Sequence, residues 1–273
     1  MEAPTYLGAL QAFMPYEPEY ISLDTDNNGL IPESLEKVLE GGGIKFIYLV
    51  PTFQNPTGRT IPQERRKKIA AIIKKHNTLL IEDDPYSSLR YRGNEIPTIK
   101  SLAPDNVVYI STLSKVFAPG LRIGFCVAPA LIRKWLVIVK QGTDLHSSTF
   151  NQALAAEYIG GGFLTRHLPK IIDRYRPRQK AMLAALDKYF PDNFNWSRPE
   201  GGMFIWAEGP ENSDMEALYW KAVAKKVAYV PGKYFYTSRG EGSGTMRLNF
   251  TMADEEIIDL AVSTLAAVIK REM

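Results

Sequence analysis

Val107-Val108-Tyr109-Ile110-Ser111-Thr112-Leu113-Ser114-Lys115 and, after Val116-Phe117-Ala118, Pro119-Gly120-Leu121-Arg122 form the stretch on which the fold reading turns. The first five residues are β-branched, aromatic or small, as in a strand buried in a sheet. Hydroxyl residues and a lysine follow, then a Pro-Gly turn signal, then a second apolar run over 122–128 (RIGFCVA). A Ser/Thr-rich strand end feeding a lysine has little packing rationale. In an open α/β sheet, ligand groups collect in loops at the carboxyl ends of strands.

The pattern repeats upstream. Residues 45–50 (KFIYLV) read as a buried strand and are followed by Asn55-Pro56-Thr57-Gly58. Pro62 opens a helix with Ile69, Ile72 and Ile73 on one face, behind an Arg/Lys run read as solvated. Residues 78–81 (TLLI) form the next strand, followed by Asp83-Asp84-Pro85-Tyr86. Pro32 starts a shorter helix through Leu39. Strands separated by helices predict a mainly parallel sheet in an α/β fold. The second half differs. A long helix is predicted from about Leu164 to Tyr189, then a strand over 203–206, a helix over 214–226, and strands near 228–230 and 246–250. Thr251-x-x-Asp254 has the form of a capping box and opens a last helix with Ile258, Ala261, Leu265 and Ile269 on one stripe. The expected organisation is a large domain over 1–163 and a smaller α+β domain over 164–273, entered by the long helix.

Composition narrows the function. The chain has 273 residues, 45% hydrophobic and 23% charged, which excludes a disordered chain, a collagen and a coiled-coil rod. Thirty-three Lys and Arg against 30 Asp and Glu give +3, too weak a charge to argue for nucleic acid. The single cysteine, Cys126, excludes an internal disulfide; within an apolar strand it reads as a buried small hydrophobe. Three scattered histidines argue against a histidine-built metal site. No stretch reads as a secretory signal or a membrane span, so the expectation is a cytoplasmic protein without membrane partners. The Asp83-Asp84 pair could by itself hold Mg²⁺, but no phosphate-loop motif accompanies it. Asn55-Pro56 is also plain turn chemistry.

The four clusters in this order resemble the class I/II pyridoxal-phosphate-dependent aminotransferases of fold type I. The nearest branch contains the 2-aminoadipate and kynurenine aminotransferases. The resemblance spans nearly the whole chain and includes Asp144-Leu145-His146, Phe150-Asn151-Gln152, Pro199-x-Gly201-Gly202-Met203-Phe204, Val230-Pro231-Gly232 and Met246-Arg247-Leu248. It implies pyridoxal 5'-phosphate as cofactor and transamination of an amino acid with a 2-oxo acid by ping-pong chemistry. Lys115 would form the Schiff base with the cofactor aldehyde and then move the proton between substrate Cα and cofactor C4′. Asp83 would pair with the pyridine nitrogen. Tyr86 and Asn55 would hydrogen-bond the phenolic oxygen, and Tyr6 would stack on the ring. Arg122, with the hydroxyls of Thr112 and Ser114, would hold the phosphate. Family members often carry Ser where this chain has Thr112, a change that keeps the hydroxyl. Arg247 would bind the substrate α-carboxylate, with Asn55 beside it.

Gly201-Gly202 reads as a close backbone approach near the substrate. His146 has an equally good reading as a polar turn residue. The same fold hosts pyridoxal-phosphate lyases and decarboxylases, and a related module serves transcription regulators for effector binding and dimerisation; the residues named here fit all of these. The resemblance further implies a homodimer. It also implies family members longer at the N terminus by roughly 100 residues. From that follow weaker cofactor holding and a sheet that exposes an edge or apolar surface.

Overall fold

The computed structural model describes residues 1–238 and 240–272. A short helix α1 (Leu7–Phe13) and a two-strand ribbon, β1 (Thr25–Asp26) and β2 (Gly29–Leu30), precede helix α2 (Pro32–Glu40). The first sheet follows. Its strands are β3 (Ile47–Leu49), β4 (Leu80–Asp83), β5 (Val107–Thr112) and β6 (Gly124–Val127), adjacent in that order. Helix α3 (Gln63–Lys75) connects β3 to β4, and the one-turn α4 (Ile99–Leu102) precedes β5. β3, β4 and β5 are parallel, as predicted. β6 is antiparallel to β5. The physical reason is the link: a parallel crossover needs a dozen or more residues and usually a helix, whereas residues 113–123 make a tight return through one 3₁₀ turn.

α3 forms because Ile69, Ile72 and Ile73 recur at helical spacing, and they pack into a core with Leu35, Leu49 and Leu80. The Arg/Lys run ahead of them is not wholly solvated. Arg66 is 1% exposed. Its guanidinium donates to the carbonyls of Ile61, Pro51 and Pro97 and to Thr52 Oγ1. A buried guanidinium is tolerated only with such partners, and these acceptors tie the loop after β3 to α3. Glu82, fully buried on β4, accepts from the backbone N–H groups of Ile99 and Lys100 and so caps α4.

Helices α5 (Ala130–Thr143) and α6 (Thr149–Gly160) follow β6 and lead to the long α7 (Phe163–Tyr189), which carries Pro169 and Pro177. The second sheet is antiparallel, in the order β7 (Asn195–Trp196), β8 (Phe204–Glu208), β10 (Thr245–Asn249) and β9 (Val230–Pro231). Helix α8 (Met215–Ala224) lies between β8 and β9, and α9 (Glu255–Glu272) closes the chain's described part. α7 and α9 pack together, and Ile258, Val262, Leu265 and Ile269 are buried. The N-cap of α9 is Asp254, whose Oδ1 accepts from Ile257 N; Thr251 instead donates to Asn249 Oδ1. The capping-box reading thus placed the helix start one turn early. One apolar core runs from Tyr48, Tyr86 and Leu113 of the first sheet region to Leu186, Ile205 and Met246 of the second. That shared core holds the ends of β3, β4 and β5 against β8 and β10.

β6 is an open sheet edge, and each of its four residues is exposed. Cys126 is therefore exposed rather than buried, because nothing among the described residues covers this strand. Apolar exposure continues over Trp135, Val139 and Phe150 of α5 and α6. This is the exposed edge and apolar surface predicted from the sequence.

Candidate active site

The ends of β3, β4 and β5 and the middle of β10 converge. Along β10, Met246 and Leu248 are buried in the core, and the intervening Arg247 points the other way. Its Nη1 donates to Asn55 Oδ1 at 2.7 Å, joining β10 to the loop after β3, 192 residues away. The guanidinium lies over the Phe204 ring at 4.1 Å and near Phe235 at 5.1 Å. Its Nε is buried with no hydrogen-bond partner. Burial pushes the Arg247 pKa down, and the groups that oppose this are the phenols of Tyr86 and Tyr6 rather than any carboxylate. A buried cation is expensive without an anion, and none faces this one among the described residues, so it is poised to take an anionic ligand.

Asn55 Nδ2 faces the Tyr86 hydroxyl at 3.5 Å. Tyr86 is buried edge-on against Phe204, at 5.9 Å between ring centroids. Burial raises its pKa, with the Tyr6 phenol adding to the effect, so Tyr86 stays protonated and can donate. Tyr6, at the N-cap of α1, is part of the same group and is half exposed.

Asp83 ends β4. Burial pushes its pKa up to about 6, the Tyr48 hydrogen bond lowers it, and neighbouring Asp84 raises it. No cation among the described residues contributes. Asp84 points elsewhere: its carboxylate accepts from Tyr109 O–H and Ser87 N. The two carboxylates thus have separate partners, which is not the arrangement of a cation site, and no cluster of three or more metal-ligating groups occurs among the described residues.

Lys115 lies in the turn after β5, half-buried. Its pKa is lowered, first by burial and then by the Arg122 and Arg247 charges. At the same turn Ser114 N donates to Thr112 Oγ1, Thr112 O–H donates to Ile123 O, and the Thr112 and Ser114 hydroxyl oxygens lie 2.9 Å apart. Arg122 has φ +53° and is exposed, with Nη1 on Pro119 O. Asn151 of α6 braces the turn by donating to Leu121 O.

The structure brings Tyr6, Asn55, Asp83, Tyr86, Lys115 and Arg247 into one group, and sets Thr112, Ser114 and Arg122 at its more open side. Gly201-Gly202 is a close approach, but to this chain's own Leu89 carbonyl and Phe53 ring rather than to open site space. His146 is exposed, its Nδ1 against Ser147 O. Sequence reasoning missed Tyr48, Arg66 and the Phe204–Phe235 bracket. Arg66 carried no separate signal within its basic run. Phe204 stood in the quoted glycine motif and was correctly read as a strand residue, but nothing local showed that it would face Arg247.

The group has a buried carboxylate with no cation partner among the described residues, a largely buried guanidinium with no carboxylate partner among them, a lysine held below its usual range and a hydroxyl–arginine turn. That donor set fits a phosphorylated pyridine aldehyde: Asp83 suits a cationic ring nitrogen, and Arg122 with two hydroxyls suits a dianion.

Residues 7–264 match the family model for aminotransferase class I and II. The aromatic-amino-acid aminotransferase 1 of Thermococcus litoralis is 47% identical over 280 residues, covering all of this chain and 67% of that protein. The 2-aminoadipate transaminase of Thermus thermophilus is 38% identical, over 99% of this chain and 68% of that protein. The crystal structure of the multiple substrate aminotransferase from Thermococcus profundus superposes with a TM-score of 0.95 at 45% identity, over all of this chain and 69% of that one. The chain therefore belongs to the class I and II aminotransferases, of fold type I, and its chemistry is pyridoxal-phosphate-dependent transamination between an amino acid and a 2-oxo acid.

Proposed function

We propose that the converged group is the catalytic centre, with Lys115 as the residue that moves the proton. The observation that carries this is Arg247, whose largely buried guanidinium bonds Asn55 and has no carboxylate partner among the described residues, with the Lys115 amine held down by burial and by the Arg122 and Arg247 charges. Arg247 and Asn55 bind the substrate α-carboxylate, which every amino-acid substrate shares. Fixing that carboxylate fixes Cα within reach of Lys115, and positioning of this kind can contribute several kcal/mol to the barrier reduction. Pyridoxal phosphate, when bound, supplies the sink for the electron pair left at Cα. Lys115 Nζ takes the Cα proton as a general base, and its lowered pKa raises the neutral fraction that can do so near pH 7. The same amine, now an ammonium, is then the proton donor for the second half of the transfer.

Asp83 holds the ring-nitrogen proton. Tyr86 and Asn55 donate to the phenolic oxygen, and Tyr6 covers the ring face. Thr112, Ser114 and Arg122 hold the phosphate. Aromatic side chains on the substrate are proposed from the name of the Thermococcus litoralis relative, and the Phe204 and Phe235 rings bracket the Arg247 guanidinium that would hold the substrate carboxylate. The Thermus thermophilus relative supports 2-aminoadipate, and with it glutamate, as further candidates.

The large and small domains are divided near residue 163, where α7 begins. Homodimer assembly is supported by the family and by the apolar exposure of α5 and α6. A cytoplasmic site of action is consistent with the absence, among the described residues, of any helix long and apolar enough to cross a membrane. The test is a panel of single amino acids added to the cofactor-loaded chain without oxo acid. Bleaching of the cofactor band by phenylalanine, tyrosine or 2-aminoadipate, with release of the matching 2-oxo acid, is the expected result. Bleaching by none, with the cofactor bound, would refute the catalytic reading.

A further inference from the structure

Tyr48 stands on β3, a strand whose three residues are all buried. Its ring packs edge-on against Phe13, with centroids 5.8 Å apart. A phenylalanine would serve that packing equally well. The hydroxyl is the part that needs an explanation, since a buried phenol must find a partner. β3 and β4 run parallel with Tyr48 opposite Ile81, and the phenol reaches forward to the strand end, where it donates to Asp83 Oδ2 at 2.6 Å. Among the described residues this is the donor that Asp83 has, and Oδ1 is left without one.

We propose that Tyr48 is a positioning residue whose phenol O–H fixes the Asp83 carboxylate for the ring nitrogen of the cofactor. This rests on the assignment of Asp83 made above. A short bond from a phenol locks the carboxylate rotation and leaves the second oxygen for the ligand. It also favours the anionic form, because donation to a carboxylate stabilises its charge. The titratable groups that face Asp83 are Tyr48 from β3 and Asp84 beside it in the chain. Tyr86 senses Asp83 from the turn beyond β4, and Tyr48 senses Tyr6 and Glu2. From β5, Tyr109 engages Asp84 rather than Asp83. No cation among them would do the work of the phenol.

The test uses the full chain as wild type, Tyr48→Phe, Asp83→Asn and the double variant. Two readouts are taken: the carboxyl ¹³C titration of Asp83 without cofactor, and equilibrium binding of pyridoxal phosphate at pH 7. Tyr48→Phe is expected to move the Asp83 midpoint above the value near 6 of the wild type. It is also expected to weaken cofactor binding on the order of ten- to a hundredfold, the range for a hydrogen bond to a charged group. In the Asp83→Asn background the same substitution should cost less than threefold. An unmoved Asp83 titration, or an equal loss in the Asp83→Asn background, would overturn the proposal and leave Tyr48 a packing residue. If the wild-type chain binds no pyridoxal phosphate, it is the site assignment itself that fails.

Discussion

Arg247→Met separates what the site costs the fold from what it does for substrate. Arg247 is largely buried and, among the described residues, has no carboxylate partner and no acceptor for Nε. Its compensation is one hydrogen bond to Asn55 and two aromatic faces. The bond to a charged group is worth about 1.5–3 kcal/mol. Each cation–π contact adds on the order of 1 kcal/mol when desolvated. Against these stands a desolvation cost of several kcal/mol for a buried ion. Methionine fills a similar volume between Phe204 and Phe235 and removes that cost. The expected change in stability is therefore small, within about 1–2 kcal/mol of zero and of either sign, equivalent to a few degrees in Tm. The effect on substrate is large. Two charge-assisted bonds to the carboxylate are lost, roughly 3–6 kcal/mol, or about 10²–10⁴-fold in the rate constant per unit substrate for the half-reaction. Cofactor binding should change little. The assays are thermal melting of the cofactor-free chain and single-turnover bleaching by an amino acid. A fall in Tm beyond about 10 °C would show Arg247 to be a structural ion. A rate loss below tenfold would show that the carboxylate binds elsewhere.

Three further outcomes follow from the same geometry. Glu2 is buried and accepts weakly from Val50 N; burial raises its pKa to about 7. A carboxyl whose folded pKa lies above its unfolded value binds extra protons in the fold, so stability rises as pH falls from above about 7 towards 4.5. Glu2→Gln should thus stabilise the chain at pH 8 by on the order of 2–3 kcal/mol and flatten melting between pH 8 and 5.5; an unchanged profile would refute the buried-acid reading. Arg66→Ala takes the guanidinium donor away from the carbonyls of Ile61 and Pro97 and from Thr52 Oγ1 and should cost roughly 3–5 kcal/mol by denaturant unfolding; a loss under 1 kcal/mol would contradict its role as the tie of the Asn55 loop. Trp135→Glu on the exposed face of α5 should reduce concentration-dependent association on sizing while leaving the melting transition in place; unchanged association would mean that this face is not the one that sticks.

Much of this was legible in the sequence because the signals were local. KFIYLV, TLLI and VVYIS are short β-branched runs with turn chemistry at their ends, and each became a parallel strand. α3 and α9 showed helical spacing of large apolar residues that the core then used. α5 was missed for a physical reason. Leu131, Trp135, Val137 and Val139 leave no clean polar face, and in the structure they lie exposed, so burial did not impose the usual period. Cys126 failed likewise, since apolar neighbours predict burial only where something covers the strand. The site was readable as clusters at strand ends, but its electrostatics were not. That Arg247 lacks an anion, or that Asp83 is held by Tyr48, depends on contacts spanning 192 and 35 residues. A tyrosine inside a buried strand looks like packing until its hydroxyl is seen to reach a carboxylate.

The most direct measurement is the absorbance spectrum of the chain with pyridoxal phosphate, beside Lys115→Ala, before and after an amino acid is added. A lysine-dependent visible band that an amino acid bleaches, absent from the variant, is the predicted result. A wild-type spectrum matching that of Lys115→Ala, with or without amino acid, would contradict the assignment of Lys115 at the centre of this site.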